Sequence, residues 1–303
     1  MTATPRLKLA VVQMDCVPGD VAANLARAEA LLAAAAAQGA HMAVLPELCT
    51  TGYFIGERLA ELVAQHDIDL VLANCENAAS GFGITPKLVE ELLDCGIAAL
   101  SGGNHIYDRR EILDYIPHQP RLLRPANFPP GSPGSGLFVG TARNGEGFAL
   151  LNLQGRTFMS PIDCPFRTAE SELARIPADV RIVIVDMHAE ATSEKQAMGW
   201  YLDGRVTAVV GTHTHVPTAD EQILPGGTAY ITDVGMTGPH DGIIGMEKSA
   251  ILGRFLDGLP RRFEVATGDV QMNAVLIETD ADRRLANGRV AARTIRRLRI
   301  RPK

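Results

Sequence analysis

The chain has 303 residues, 46% hydrophobic and 21% charged, which is typical of a globular protein with one large domain or two modest ones. The net charge of −6 does not indicate a basic surface for binding nucleic acid. No apolar run reaches the ~20 residues that are needed to cross a bilayer. Five cysteines without a C-x-x-C pair, and an N-terminus without the apolar core of a secretory signal, lead us to expect a cytoplasmic protein with reduced thiols.

Apolar runs bounded by turn residues predict strands that alternate with helices. A strand over 7–14 ends before Asp15, a helix over 21–38 follows, and a second strand over 41–45 precedes Pro46-Glu47. Residues 126–136 are predicted to form an irregular surface loop, and residues 262–303 a few terminal strands. Further strands are predicted over 68–73, 96–100, 147–153, 182–185, 208–211 and 227–232, with helices over 57–65, 85–93, 169–175 and 193–199. This order predicts an α/β fold with a parallel or mixed sheet covered on both faces.

Polar side chains directly follow several of these strands, and in such sheets ligands bind beyond the carboxyl ends of the strands. His213 and His215 are two residues apart, so in an extended chain both imidazoles would face the same way. Carboxylate, amide oxygen and imidazole together suit divalent Mn, Fe or Zn. The alternative is a set of hydrogen-bonded polar residues at the sheet ends. The candidate residues at this rim are Glu76, Asn77, Asn104, His105, His188, His213 and His215.

This set of side chains is suited to phosphoryl transfer. One carboxylate can bridge two ions, and paired ions polarise a phosphate oxygen and lower the pKa of a bound water. An imidazole beside the ions can protonate the leaving alkoxide, and His105 is our candidate for this general acid. For an Asn-His dipeptide alone, a turn with an exposed ring is the simpler interpretation.

Several strings from residue 66 onward resemble the bacterial calcineurin-like metallophosphoesterases of the YmdB type. They cover about three-quarters of the chain in order, and they are Glu76-Asn77-Ala78-Ala79, Gly103-Asn104-His105, Leu123-Arg124-Pro125-Ala126-Asn127, His188-Ala189-Glu190-Ala191-Thr192-Ser193-Glu194-Lys195, Gly211-Thr212-His213-Thr214-His215 and Thr232-Asp233-Val234-Gly235-Met236. The resemblance implies a four-layered α/β sandwich that uses two metal ions, iron or manganese, to hydrolyse phosphodiesters such as 2′,3′-cyclic nucleotides.

The resemblance also implies a role for each rim residue. Glu76 would bridge the ions. One ion would be held by Asn104, His188 and His213. His215 would help to hold the other, His105 would be the general acid, and Asn77 would help to position phosphate.

The first 65 residues depart from that family, because its Gly-Asp-x-x-Gly metal-ligand element is absent. Residues 7–64 instead resemble the N-terminal part of the nitrilase, or carbon–nitrogen hydrolase, superfamily, through Leu9-Ala10-Val11-Val12-Gln13, Pro46-Glu47 and Gly52-Tyr53. We therefore divide the chain into a nitrilase-like segment, 1–65, and a metallophosphoesterase domain, 66–303. Asp15 either replaces the missing ligand or only starts a turn, and Glu47 is a weaker substitute.

Three functional classes follow from these patterns. The first is a metal-dependent phosphodiesterase, with reduced activity if no carboxylate replaces the missing ligand. The second is a binding protein with one ion or none. The third, a carbon–nitrogen hydrolase, would need Glu47 to work with a cysteine, but Cys164 lies inside the phosphoesterase-like part and is interpreted as structural. The predicted ligand is a small phosphoester, and the oligomeric state, a homo-oligomer included, stays open.

Overall fold

The computed structural model describes residues 6–12, 42–45, 69–94 and 96–300, which form a mixed α/β fold built on two sheets. The strands in these ranges are β1 (Arg6–Val12), β2 (Met42–Leu45), β3 (Leu70–Asn74), β4 (Ala99–Ser101), β5 (Leu122–Leu123), β6 (Leu137–Thr141), β7 (Gly147–Gln154), β8 (Ile182–His188), β9 (Ala208–Thr212), β10 (Gln222–Ile223), β11 (Ala229–Ile231), β12 (Gly238–Pro239), β13 (Val270–Arg284) and β14 (Val290–Ile300). The helices are α1 (Pro86–Asp94), α2 (Ile112–Tyr115), α3 (Pro165–Leu173), α4 (Thr192–Leu202) and α5 (Lys248–Asp257), with a 3₁₀ turn at Ile116–His118.

Both sheets are parallel at their centres and antiparallel at one or more edges. The first has the order β12-β13-β1-β2-β3-β4-β5, with β14 beside β13, and its strands β1 to β5 are parallel. The second has the order β10-β11-β9-β8-β7-β6, in which β7, β8, β9 and β11 are parallel. The carboxyl ends of the parallel strands of each sheet therefore meet at a common edge.

The two faces of β8 show how its continuous apolar run is used. Ile182 and Ile184 belong to a buried cluster that also contains residues of β3, β7, β9 and β13, and so lies between the sheets. Val183 and Val185 belong to a second cluster, with side chains of α3 and α4. A third cluster packs α1 against the other face of the first sheet. Strands buried on both faces need no polar alternation, which explains the uninterrupted apolar runs.

The predicted strands in the N-terminal part are confirmed as β1 and β2, and both lie inside the first sheet. β1 is antiparallel to β13 and parallel to β2, and β2 is parallel to β3. The predicted helices over 21–38 and 57–65 lie outside the described residues, as do Asp15 and Glu47. The division of the chain at residue 65 stays a prediction.

The loop at 126–136 was only partly predicted. It is irregular, but Asn127 is buried and is not a surface residue. Its amide donates to the carbonyl oxygen of Gln154 at 2.7 Å and accepts the Gln154 N–H at 2.9 Å, which ties the loop to the end of β7. Helix α5 was missed, because Phe255 and Leu256 face outward and break the inward apolar period. Within the described ranges, no helix combines the length and apolar character needed to cross a membrane.

Candidate metal centre

Four side chains from the strand ends of both sheets converge on one point. Nε2 of His188 lies 2.8 Å from Oε2 of Glu76, 3.0 Å from Oδ1 of Asn104 and 3.1 Å from Nδ1 of His213. Glu76 and Asn104 follow β3 and β4 of the first sheet, whereas His188 ends β8 and His213 follows β9 of the second. Glu76 and His188 are fully buried. The sequence-based expectation that these four residues come together is met.

The hydrogen bonds behind His188 determine which nitrogen faces the other three groups. Its Nδ1 lies 2.9 Å from Oγ1 of Thr212, and that hydroxyl donates its own proton to Asp186 at 2.8 Å. The hydroxyl can then only accept from Nδ1–H, so neutral His188 carries a lone pair on Nε2. Histidine ligands of metals are usually oriented through such a bond to the second nitrogen.

The ring of His213 is also oriented by a hydrogen bond to its second nitrogen. Its Nε2 lies 3.1 Å from the Glu190 carboxylate, which accepts the proton and leaves the lone pair on Nδ1. With the Glu76 and Asn104 oxygens, the converging atoms are four acceptors, and a shared cation satisfies all of them at once. Glu76, His188 and His213 also form a His/carboxylate group with ligand atoms within 4.8 Å of one another. These four ligand atoms therefore fit a divalent metal ion.

A buried polar network joins this cluster to the strands beneath it. Asp186 accepts from Ser101 at 2.6 Å and from the Asn74 amide at 3.1 Å, and Asn74 in turn accepts the backbone N–H of Glu76 at 3.0 Å. Sequence reasoning missed these supports. The available signal was Asp186, a carboxylate inside the otherwise apolar run of β8.

A glycine allows the backbone after β4 to pass directly against the His188 ring. A Cβ at Gly103 would lie 2.2 Å from Nε2 of His188, which is closer than any real contact. Gly103 therefore leaves open the side of the imidazole that carries the lone pair.

His105 lies beside the cluster, with its ring partly exposed. Its backbone N–H donates to Oε1 of Glu76, and its Nδ1 lies 2.7 Å from Oδ2 of Asp108. Because Asp108 takes the proton on Nδ1, proton exchange with a ligand is left to Nε2. Asp108 was not singled out in the sequence, although its position three residues after His105 is a usable signal.

The turn that carries His213 and His215 is not extended, so the prediction that both rings lie on one face of a strand was wrong. β9 ends at Thr212, and the φ angles of His213 and His215 are 98° and 65°, in the left-handed region. Such angles are unfavourable for residues other than glycine and concentrate at functional sites. The two rings consequently reach different partners.

Asp233 holds this turn through Thr214, the residue between the two histidines. Its Oδ2 accepts the Thr214 N–H at 3.1 Å and the Thr214 hydroxyl at 2.8 Å. The same oxygen lies 2.5 Å from Nζ of Lys195, and both charged residues are about 1% exposed. The buried ion pair and the two hydrogen bonds over-determine a backbone shape that is unfavourable by itself.

His215 faces Asn77 and not the four-residue cluster. Its Nδ1 donates to the carbonyl oxygen of Ile244 at 3.1 Å, so its Nε2 accepts from the Asn77 amide at 3.4 Å. His215 and Asn77 line a cleft of about 530 Å³ together with His105 and His213, and a ligand that takes the Nε2 lone pair would replace its contact with Asn77. Four of the predicted rim residues therefore share this cleft. Glu76 and His188 adjoin it through contacts with His105 and His213, and Asn104 contacts His188.

The remaining candidates lie elsewhere. Asp15 is outside the described residues, and Cys164 is not among the described residues that line the cleft. Cys164 precedes α3. Partial burial acts to raise its thiol pKa, but backbone N–H groups of Phe166 and Arg167 and nearby arginine charges outweigh this and lower it. This local environment agrees with a position at a helix N-terminus.

Comparison with known proteins shows consistent similarity. Residues 50–290 match the family of YmdB-like proteins. The chain is 50% identical, over 226 residues, to a 2′,3′-cyclic-nucleotide 2′-phosphodiesterase of Bacillus subtilis (strain 168), covering 75% of this chain and 85% of the relative. A crystal structure of a hypothetical protein from Thermus thermophilus is 34% identical with a TM-score of 0.74, covering 99% of this chain and 100% of that one. A crystal structure of a novel phosphatase from Mycoplasma pneumoniae is 29% identical with a TM-score of 0.76, covering 99% and 95%.

Proposed function

The chain belongs to the YmdB-like protein family and is a phosphoesterase, and we propose that it hydrolyses phosphodiesters such as 2′,3′-cyclic nucleotides with the help of two divalent metal ions. The name of the Bacillus subtilis relative supports the substrate class. The observation that carries the metal dependence is the convergence of four acceptor atoms, from Glu76, Asn104, His188 and His213, around one point.

In this proposal Glu76 would be shared by the two ions. Asn104, His188 and His213 would hold one ion. His215 would help to hold the second, and Asp15 would complete its ligands. Imidazole and carboxylate oxygen suit divalent Mn, Fe or Zn, and the resemblance to the YmdB-type phosphoesterases favours iron or manganese. Bound ions would polarise a phosphate oxygen and lower the pKa of a water molecule.

His105 supplies the proton that the leaving alkoxide needs. Asp108 accepts from Nδ1, so the protonated ring carries its second proton on Nε2, the atom available to a ligand in the cleft. Asn77 lines the same cleft next to His215, and its amide is suited to positioning a phosphate oxygen.

We further propose a four-layered metallophosphoesterase fold and a cytoplasmic location. Three buried clusters, one between the sheets and one on the outer face of each, support a four-layered α/β sandwich of the metallophosphoesterase type. We retain the nitrilase-like origin of residues 1–65 as a hypothesis, with β1 and β2 as strands of the first sheet. A cytoplasmic location agrees with Cys75 and Cys164 as free thiols.

The test is metal stoichiometry and hydrolysis of 2′,3′-cyclic AMP and bis-p-nitrophenyl phosphate by protein purified without a chelator. We expect two ions per chain, and Glu76→Gln and His188→Ala should lose both metal and activity. Cys164→Ala is the matched control and should change neither. One ion or none with no hydrolysis would identify a binding protein. Amide hydrolysis that is lost on cysteine alkylation would favour a carbon–nitrogen hydrolase.

The same measurement on Asp15→Ala tests the replacement of the missing ligand. A fall from two ions to one would assign Asp15 to the second ion, since catalytic sites normally use about three protein ligands. Unchanged metal content would assign Asp15 to the turn before Pro18, and weak binding of the second ion in the wild type would then explain reduced activity.

A further inference from the structure

The cleft above the candidate metal centre has two chemically different parts. Its polar lining consists of Asn77, Thr214, Glu190 and the histidines described above. Its apolar lining consists of Phe82, Val216, Ile244, Met246, Ile251 and Phe263. Among the described lining residues, Glu190 is the one acidic side chain, and its carboxylate accepts a hydrogen bond from His213. A ligand in this cleft would thus contact both the histidines and an apolar surface next to them.

Ile244 is placed in the apolar part by an unfavourable backbone conformation. It is the first central residue of a tight turn closed by two backbone hydrogen bonds between Ile243 and Met246, at 2.9 and 3.0 Å. The φ angles of Ile244 and Gly245 are 47° and 91°, as in a type I′ turn. Asn, Asp or Gly is strongly preferred at this position, and a β-branched residue there is an outlier. Ile244 is nevertheless 52% exposed, so the folded core does not explain the choice.

The apolar walls are connected directly to the residues proposed to act on phosphate. The carbonyl oxygen of Ile244 accepts from Nδ1 of His215, which fixes the turn relative to the histidines. Phe82 packs edge-on against the ring of His105, with 5.4 Å between ring centroids. An apolar group that contacts Phe82 or Ile244 therefore lies next to the histidines proposed to act on phosphate.

We infer that the apolar surface formed by Phe82, Ile244 and Phe263 binds the aromatic base of a nucleotide whose phosphate lies at the histidines. This inference rests on the proposed function and identifies the part of the substrate that the enzyme selects. A base has two flat apolar faces, and the cleft volume of about 530 Å³ is within the range of small-ligand sites. The apolar lining favours stacking over hydrogen-bond readout, so the site accepts different bases.

Ile244→Asn separates this role from the fold, because asparagine is favoured in the left-handed region and keeps the turn and its carbonyl group. We expect KM for 2′,3′-cyclic AMP to rise about 10-fold, the low end for a lost apolar contact, with kcat and thermal stability maintained. Hydrolysis of glycerol 1,2-cyclic phosphate, which has the cyclic diester but no base, should be unchanged. The matched control is Val139→Asn, an exposed β-branched residue of β6 that is not among the described lining residues, and neither substrate should be affected.

Equal losses on both substrates would overturn the inference, because Ile244 would then act through His215. It would also be overturned, with the proposed function intact, if the wild type hydrolysed the base-free diester as efficiently as cyclic AMP. If neither diester were hydrolysed, the proposed function would fail, and calorimetric binding of adenosine 3′-monophosphate with Mn²⁺ present would decide the base site separately. Weaker binding by Ile244→Asn would support the site, and equal binding would exclude it.

Discussion

Replacing Lys195 by methionine tests whether the buried ion pair positions the histidine turn. The substitution removes the ammonium 2.5 Å from Asp233 and leaves a carboxylate that is about 1% exposed. Removing one partner of a buried pair costs about 3–5 kcal/mol. Asp233 still accepts from Thr214 N–H, the Thr214 hydroxyl and Gly235 N–H, so we expect a loss of about 3 kcal/mol in the free energy of unfolding.

The double variant Lys195→Met/Asp233→Asn distinguishes stability from positioning. Without either charge the burial penalty is largely removed, and the free energy of unfolding should recover in part. An asparagine has a single acceptor oxygen and cannot replace all the contacts of the carboxylate. The left-handed conformation of His213 and His215 would lose support, so metal binding should stay weakened while stability returns.

The assays are denaturant unfolding of chelator-treated protein, which excludes metal stabilisation, and Mn²⁺ affinity measured by titration. Lys248→Met is the matched control, because it removes an ammonium at the same 2.5 Å from Asp241 in an exposed pair, and neither measurement should change. Wild-type metal affinity in the double variant would refute the positioning role of Asp233. An unchanged unfolding free energy in Lys195→Met would refute the reasoning about the buried charge.

Three further predictions concern single contacts. His105→Ala should keep both metal ions and lower kcat by about 10²–10⁴-fold, as measured by metal analysis and steady-state kinetics; loss of metal would contradict the general-acid role. Thr212→Val removes the acceptor of the His188 Nδ1 proton at nearly constant volume and should weaken metal binding about 10–100-fold by titration. Hydrogen bonding by Arg205 lowers the pKa of Glu170 from 4.5 to about 2, so its stabilising contribution should be complete above pH 4.5 and disappear as the pH falls to about 2. Acid-unfolding curves of Glu170→Gln should lack that component, and curves identical to the wild type would exclude it.

Much of the central architecture could be predicted because it depends on local pattern. The apolar run at 182–185 predicted the buried strand that became β8, and its end correctly located His188 at the rim. A polar residue after a buried strand has few places to go except the shared edge of the sheet. This reasoning also located Glu76 and Asn104, which β3 and β4 bring to the same edge.

The details that were missed depend on contacts between distant parts of the chain. The conformation of the turn at His213 is fixed by Asp233 and, through it, by Lys195, and spacing in the sequence carries no information about such a pair. Similarly, Thr212 determines the tautomer of His188 only because Asp186 accepts its hydroxyl proton. The central strands and their ends follow from local pattern, whereas side-chain orientation at the rim follows from the tertiary network.

The four converging ligand atoms come in equal number from the two sheets, and this has a mechanical consequence. A cation bound by Glu76 and Asn104 of one sheet and by His188 and His213 of the other would cross-link the two sheets. Sliding one sheet past the other would then strain every coordination bond together. At a free metal concentration about 1,000 times Kd, such a cross-link adds about 4 kcal/mol to the free energy of unfolding. Activity and stability would therefore depend on the same ion.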